Sequence, residues 1–110
     1  MSPSDYRVQK LSRNEARKQI SEMMKQHPEN VRFSRHAIIE LQKDNLTTTD
    51  VLNVLKSPDS KIYKEGEWEN GSYRYRLETS YLSIVIGFWV DGSGFNIVTA
   101  WDKRKGGILK

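Results

Sequence analysis

Apolar residues recur at helical spacing through the first half of the chain and at strand spacing through the second. Ala16, Ile20, Met23 and Met24 make one helical stripe that runs to His27, where Pro28 ends it. Ser12 and Glu15 form a Ser-x-x-Glu capping box at its start, with Leu11 and Ala16 as the hydrophobic staple. A second helix is predicted after Ser34, with Ala37, Ile38 and Leu41 inward and Phe33 and Ile38 at the staple positions. His36, Glu40 and Lys43 share another of its faces. A third starts at Thr47, with Asp50 three residues on and Leu46 and Val51 as its staple; Val51, Leu52, Val54 and Leu55 face inward, and Ser57-Pro58 stops it.

From residue 60 the period changes. Short strands are predicted at 60–64, 65–69 and 72–78, and Asn70-Gly71 between the last two is the strongest local signal for a type I′ hairpin. Residues 81–90 are almost continuously apolar, as in a central strand covered on both faces. Asp91-Gly92-Ser93-Gly94 turns the chain into a last strand, 95–101. The expectation is one α+β domain: a polar arm (1–10), a helical part (11–58), an antiparallel sheet (60–102) on which the helices pack, and a basic tail (103–110).

A two-residue turn at 70–71 pairs residues whose numbers sum to 141, so Glu67 faces Arg74, Trp68 faces Tyr73 and Glu65 faces Arg76. Period 2 then places Trp68, Tyr73, Tyr75 and Leu77 on one face, and Glu65, Glu67, Arg74, Arg76 and Glu78 on the other.

Composition narrows the chemistry. Leu, Ile, Val and Phe supply 26 of the 110 residues, about 24 %, above the roughly 20 % below which a charged chain stays disordered. The longest uncharged run, Thr79–Val90, is too short to span a bilayer. The first residues have no apolar stretch of the secretory kind, so a cytoplasmic protein with no membrane partner is expected. Cysteine is absent, which excludes disulfides, thiolate metal sites and a cysteine nucleophile; two histidines are too few for a His-rich metal site. The net charge of +4 suits a polyanionic partner without requiring one.

Two readings of the charged strand face stand side by side. Opposed Glu and Arg side chains make a solvated array of ion pairs, each worth about 0.2–1 kcal/mol. Alternatively, Arg74 and Arg76 form a phosphate clamp, since planar guanidinium forks match phosphate oxygens, and Glu78 on the same face accepts a proton. His36, flanked by Arg35 at a helix start that attracts anions, is either a helix-end structural residue or an acid–base group whose ordinary pKa suits neutral pH. Lys64 is a cation at a strand end. Tyr73 and Tyr75 are core or rim aromatics, or rings on which bases stack. Lys103-Arg104-Lys105 is a basic run or a solvated tail. There is no P-loop, dinucleotide-binding glycine pattern, Gly-x-Ser-x-Gly or metal-ligand spacing.

Four stretches carry a resemblance: Phe33-Ser34-Arg35-His36-Ala37, Thr49-Asp50-Val51, Tyr73-Arg74-Tyr75-Arg76-Leu77-Glu78 and Val98-Thr99-Ala100-Trp101. Over residues 31–103 the chain resembles a family of small bacterial domains related to the RelE/ParE and MqsR-type toxins. The resemblance implies a RelE/MqsR-like ribonuclease fold and the toxin of a type II toxin–antitoxin pair: a metal-independent endoribonuclease acting on mRNA, without cofactor. Its tight protein partner would be an antitoxin with a zinc finger and a helix-turn-helix. MqsR-like toxins use a lysine, a polar strand residue, a tyrosine and a late lysine; Lys64, Tyr73 or Tyr75, and Lys103 look like the lysines and the tyrosine. Taking the residue reading together with the resemblance, the expected catalytic set is His36, Lys64, Arg74, Arg76 and Glu78. The expected RNA-binding set is Arg35, Tyr73, Tyr75, Thr99, Trp101 and Lys103. The alternative is a non-catalytic module of the same fold that binds nucleic acid or a protein.

Overall fold

Ser12 and Glu15 exchange hydrogen bonds at the start of the first helix. The Ser12 hydroxyl accepts from the Glu15 backbone N–H at 3.1 Å, and the Glu15 carboxylate accepts from the Ser12 N–H at 3.0 Å. Two helix-end donors are thereby satisfied, and α1 (Arg13–Gln26) follows, burying Ala16, Ile20, Met23 and Met24. This computed structural model describes residues 5–63 and 66–106; the expectations for Lys64, for Glu65 opposite Arg76, and for the ends of the arm and tail lie outside the described residues.

A single 3-10 turn, Pro28–Asn30, leads into β1 (Val31–Phe33). Ser34 caps α2 (Arg35–Lys43), and a Thr47/Asp50 capping box opens α3 (Thr48–Lys56). The remaining strands are β2 (Lys61–Ile62), β3 (Glu67–Glu69), β4 (Ser72–Glu78), β5 (Leu82–Phe88) and β6 (Phe95–Asp102), with a final helical turn, α4 (Lys103–Gly106).

The strand order is β1-β6-β5-β4-β2, and β3 pairs with β4. β3 lies along Ser72–Arg74 and β2 along Leu77–Glu78, so the two share one edge of β4. The α+β class and the chain order of helices before sheet hold, with one correction: the sheet is mixed, not antiparallel. β1 comes from the helical half of the chain and runs parallel to β6, with Arg32 opposite Asn96. Asn70 (φ 50°) and Gly71 (φ 84°) both adopt the left-handed backbone of a type I′ turn, and Glu67 faces Arg74 as the turn requires.

β5 is central and buried along most of its length. Its Leu82, Ile84, Ile86 and Phe88 join Leu77, Phe95, Ile97, Ala100 and the helix stripes in one core. Tyr75 belongs to that core, at 1 % exposure. Its hydroxyl accepts from the Leu11 N–H at 2.9 Å and donates to the Gln9 carbonyl at 3.2 Å. The arm is tied down as well. The Tyr6 N–H donates to the Val90 carbonyl and the Tyr73 N–H to the Arg7 carbonyl, so residues 6–7 bridge the end of β5 and the start of β4.

β6 carries a bulge. Val85 pairs with Thr99 but Ile86 pairs with Ile97, which leaves Val98 as the extra residue. Ser34 stitches α2 to this bulge: its N–H donates to the Ile97 carbonyl at 3.0 Å and its hydroxyl to the Val98 carbonyl at 2.8 Å. Among the described residues no helix is long and apolar enough to cross a membrane.

Candidate nucleic-acid interface

Pairing across strands sorts the sheet face away from the core into rows. One row runs Glu67, Arg74, Gly87, Asn96 and Arg32 over β3, β4, β5, β6 and β1. The next holds Arg76, Val85 and Thr99, and the third Lys61, Glu78, Ser83 and Trp101. The bulge makes this possible. In a regular strand Asn96 and Thr99, three apart, would point to opposite faces; the extra residue brings them to the same one.

Glycine at 87 leaves a trough, and the Arg74 side chain lies in it. A Cβ at 87 would stand 3.2 Å from Arg74 Nη1 and 3.6 Å from its Cδ. Arg74 Nε is buried and has no hydrogen-bond partner among the described residues, a costly condition for a donor on a charged group. Arg76 is exposed, and its guanidinium carbon sits 5.2 Å from the centroid of the Trp101 ring. Glu67 is the register partner of Arg74. Among the described residues, however, neither Arg74 nor Arg76 makes an ion pair.

Glu78 is engaged on both oxygens. Ser83 Oγ donates to Oε2 at 2.8 Å and Lys103 Nζ lies 3.5 Å from Oε1. Lys103 also donates to the Thr79 carbonyl at 3.1 Å, so it is anchored at the margin of the face and is not part of a loose tail. Arg104 turns elsewhere: it grips the buried Asp102 carboxylate through Nε and Nη2 at 3.1 and 3.0 Å, and those bonds hold its pKa above the usual value.

The sequence-predicted residues therefore divide. Arg74, Arg76, Glu78, Thr99, Trp101 and Lys103 come together. Tyr73 and Tyr75 do not join them. Tyr73 is half-buried against the edge of Trp68, centroids 5.1 Å apart, and is adjacent in sequence to both Ser72 and Arg74, so it points to the opposite face from Arg74. Tyr75, expected to bind RNA, is corrected to a core residue whose ring no base can reach. Arg35 and His36 are exposed in the first turn of α2, held near the β6 bulge through Ser34; among the described residues His36 has no hydrogen-bond or ion-pair partner. Among the described residues no cluster of three or more His, Asp or Glu is placed to hold a metal.

Sequence reading missed four contributors. Tyr63 is exposed and lines a small depression with Glu67, Arg76 and Glu78. Arg32, Trp89 and Asn96 occupy the far end of the first row. The alternation Val31-Arg32-Phe33 was the available signal for Arg32, but three residues are too few for a period to register. Comparison of the chain with protein-family models, curated proteins and solved structures finds no match.

Proposed function

We propose that this face binds RNA and that the chain is a metal-independent endoribonuclease, the toxin of a toxin–antitoxin pair. The observation that carries the reading is the state of Arg74 and Arg76: two neighbouring guanidiniums on one sheet face, with no carboxylate partner among the described residues. A phosphodiester supplies acceptors for the guanidinium termini and the missing charge.

Cleavage then needs no metal. A base removes the proton of a ribose 2′-OH, and the 2′-oxygen attacks the adjacent phosphorus. The bond from phosphorus to the 5′-oxygen breaks, and that oxygen takes a proton as it leaves. Arg74 and Arg76 stabilise the charge gathering on the phosphoryl oxygens. Proton transfer is assigned to Glu78, on the face, or to His36, at the start of α2. The partner in the cell is an antitoxin that covers the basic face, with association steered by charge.

One observation favours a second reading, a non-catalytic RNA- or protein-binding module. Glu78 is already occupied by Ser83 and Lys103, so a base role requires it to leave both. Induced expression of the chain alone, scored for growth and RNA integrity, separates the two, together with incubation of purified protein and RNA in excess chelator. Growth arrest with chelator-insensitive fragments ending in cyclic phosphate supports the nuclease. RNA binding without fragments supports the module, and no RNA binding rejects both RNA readings.

A further inference from the structure

The far end of the first row carries a constellation that the cleavage chemistry does not use. Arg32 Cζ stands 5.1 Å from the centroid of the Trp89 ring. The same indole donates Nε1–H to Asn96 Oδ1 at 3.0 Å. The ring is seated against Gly94, where a Cβ would come within 2.7 Å of its Cζ3. Each group is thus fixed by a neighbour: the ring by a glycine and an amide, the amide by the ring, the guanidinium by the ring face. Two polar groups of this cluster stay open to a ligand. Arg32 and Asn96 are exposed, Arg32 has no carboxylate partner among the described residues, and the Asn96 amide nitrogen has no acceptor among them.

Resting on the reading of this face as an RNA surface, we infer that Arg32, Trp89 and Asn96 form a second nucleotide station. It takes an unpaired base from a nucleotide further along the same RNA strand than the pair held at Arg76. The base stacks on the guanidinium–indole pair, and the Asn96 amide donates to its edge. Arg74, in the same row, holds the reacting phosphate with Arg76 at the near end. Arg74 and Arg32 are three strand spacings apart, about 14 Å at the usual 4.7–4.9 Å per strand. A short run of nucleotides crosses that span and a dinucleotide at Arg76 does not reach its end. The base must be unpaired, because stacking on a side chain needs a face that duplex neighbours would cover. The RNA accordingly runs across the strands, along the row, rather than parallel to them.

The test is fluorescence anisotropy with labelled single-stranded hexanucleotide RNA, the same RNA as a duplex, and a dinucleotide. Wild-type protein is compared with Arg32→Ala, Asn96→Ala, Trp89→Ala and Arg76→Ala. Loss of one stacked base weakens binding on the order of tenfold. Arg32→Ala and Trp89→Ala are expected to lose that much on the single-stranded hexanucleotide and nothing on the dinucleotide. Trp89→Ala leaves the salt dependence unchanged, because it removes a stacking surface and no charge. In cleavage both raise KM and leave kcat alone. Arg32→Ala removes only an exposed side chain, so it reports even if Trp89→Ala fails to fold. The station is overturned if Arg32→Ala binds the hexanucleotide like wild type while Arg76→Ala does not, an outcome that leaves the RNA-binding reading standing. It is also overturned if the duplex binds as well as the single strand. If wild type binds no RNA, both readings fall.

Discussion

Arg74 lies across Gly87, and the fit is close: the nearest guanidinium nitrogen is 3.2 Å from where a Cβ would be. The backbone at 87 does not lie in the left-handed region, so an L side chain is allowed there. What a side chain would disturb is Arg74, whose terminus is flexible and can move by the few tenths of an ångström required. Gly87→Ala also restricts the unfolded chain, a gain of about 0.4–1 kcal/mol where the native backbone is compatible. The variant is therefore expected to melt at or above the wild-type temperature while binding RNA more weakly. If that displacement breaks a contact between Arg74 and one phosphate, the slope of log affinity against log salt also falls by about 0.7. Thermal melts and anisotropy over a salt series measure the two effects separately.

The parts of the fold that local chemistry decides were legible in the sequence. Two capping boxes and the Asn70-Gly71 turn each act within four residues, and the hairpin register followed from the turn alone. What escaped depends on distant partners. β1 is three residues long and becomes a strand because β6 lies beside it. Val98 is an ordinary strand residue in sequence and an extra one only in the β5–β6 register, yet it decides that Asn96 shares a face with Thr99 and Trp101. Period 2 placed Arg74, Arg76 and Glu78 together correctly. It could not show that Tyr75 reaches the arm and is buried by it, because arm and strand are more than sixty residues apart.

Ser34 joins two of these features, and its removal is expected to be costly for one atom. Its hydroxyl accepts from the Ala37 N–H at 3.0 Å and donates to the Val98 carbonyl at 2.8 Å. Loss of an N-cap side chain costs about 0.5–2 kcal/mol, and the bulge carbonyl loses its donor as well. Ser34→Ala should lower the thermal midpoint by several degrees, at roughly 4–8 °C per kcal/mol for a domain near this size. Ser34→Thr keeps the hydroxyl and should recover most of the loss. Equal melting of the two variants would show that the hydroxyl contributes nothing.

Tyr75→Phe tests the arm. Without the hydroxyl, the buried Leu11 N–H has no acceptor and the Gln9 carbonyl loses its donor, a cost of about 1–3 kcal/mol for a stranded buried group. The pH dependence carries a second signature. Burial pushes the Tyr75 phenol above its usual value, against a smaller downward pull from the Leu11 N–H. The fold thus favours the neutral phenol. Its contribution is intact below the unfolded tyrosine value of about 10, and is lost as pH rises through the folded value, because the unfolded chain releases its proton first. The stability gap between wild type and Tyr75→Phe should be widest near neutrality and narrow above pH 10 in denaturant titrations. A gap that widens with alkali would reverse the assignment.

Arg76 and His36 separate function from stability most cleanly. Arg76 is exposed with its guanidinium over the Trp101 ring, an interaction worth about 0.5–1 kcal/mol at an exposed site. His36 is exposed in the first turn of α2 with no partner among the described residues. Neither substitution to alanine removes core volume or strands a buried group, so the melting temperatures of Arg76→Ala and His36→Ala should stay within a few degrees of wild type. Catalysis responds on another scale. Removing one donor that stabilises transition-state charge lowers turnover by about 10²–10³-fold, and removing an acid–base group by about 10²–10⁴-fold. Arg76→Lys keeps the charge without the planar fork and should fall between wild type and alanine. Growth inhibition and RNA cleavage should therefore disappear in both alanine variants while folding persists. If both keep full toxicity, the face is a solvated charge array and Arg76 is no clamp. If Arg76→Ala alone loses activity, the clamp stands and proton transfer passes from His36 to Glu78, whose release from Ser83 and Lys103 is then the step to probe with Ser83→Ala.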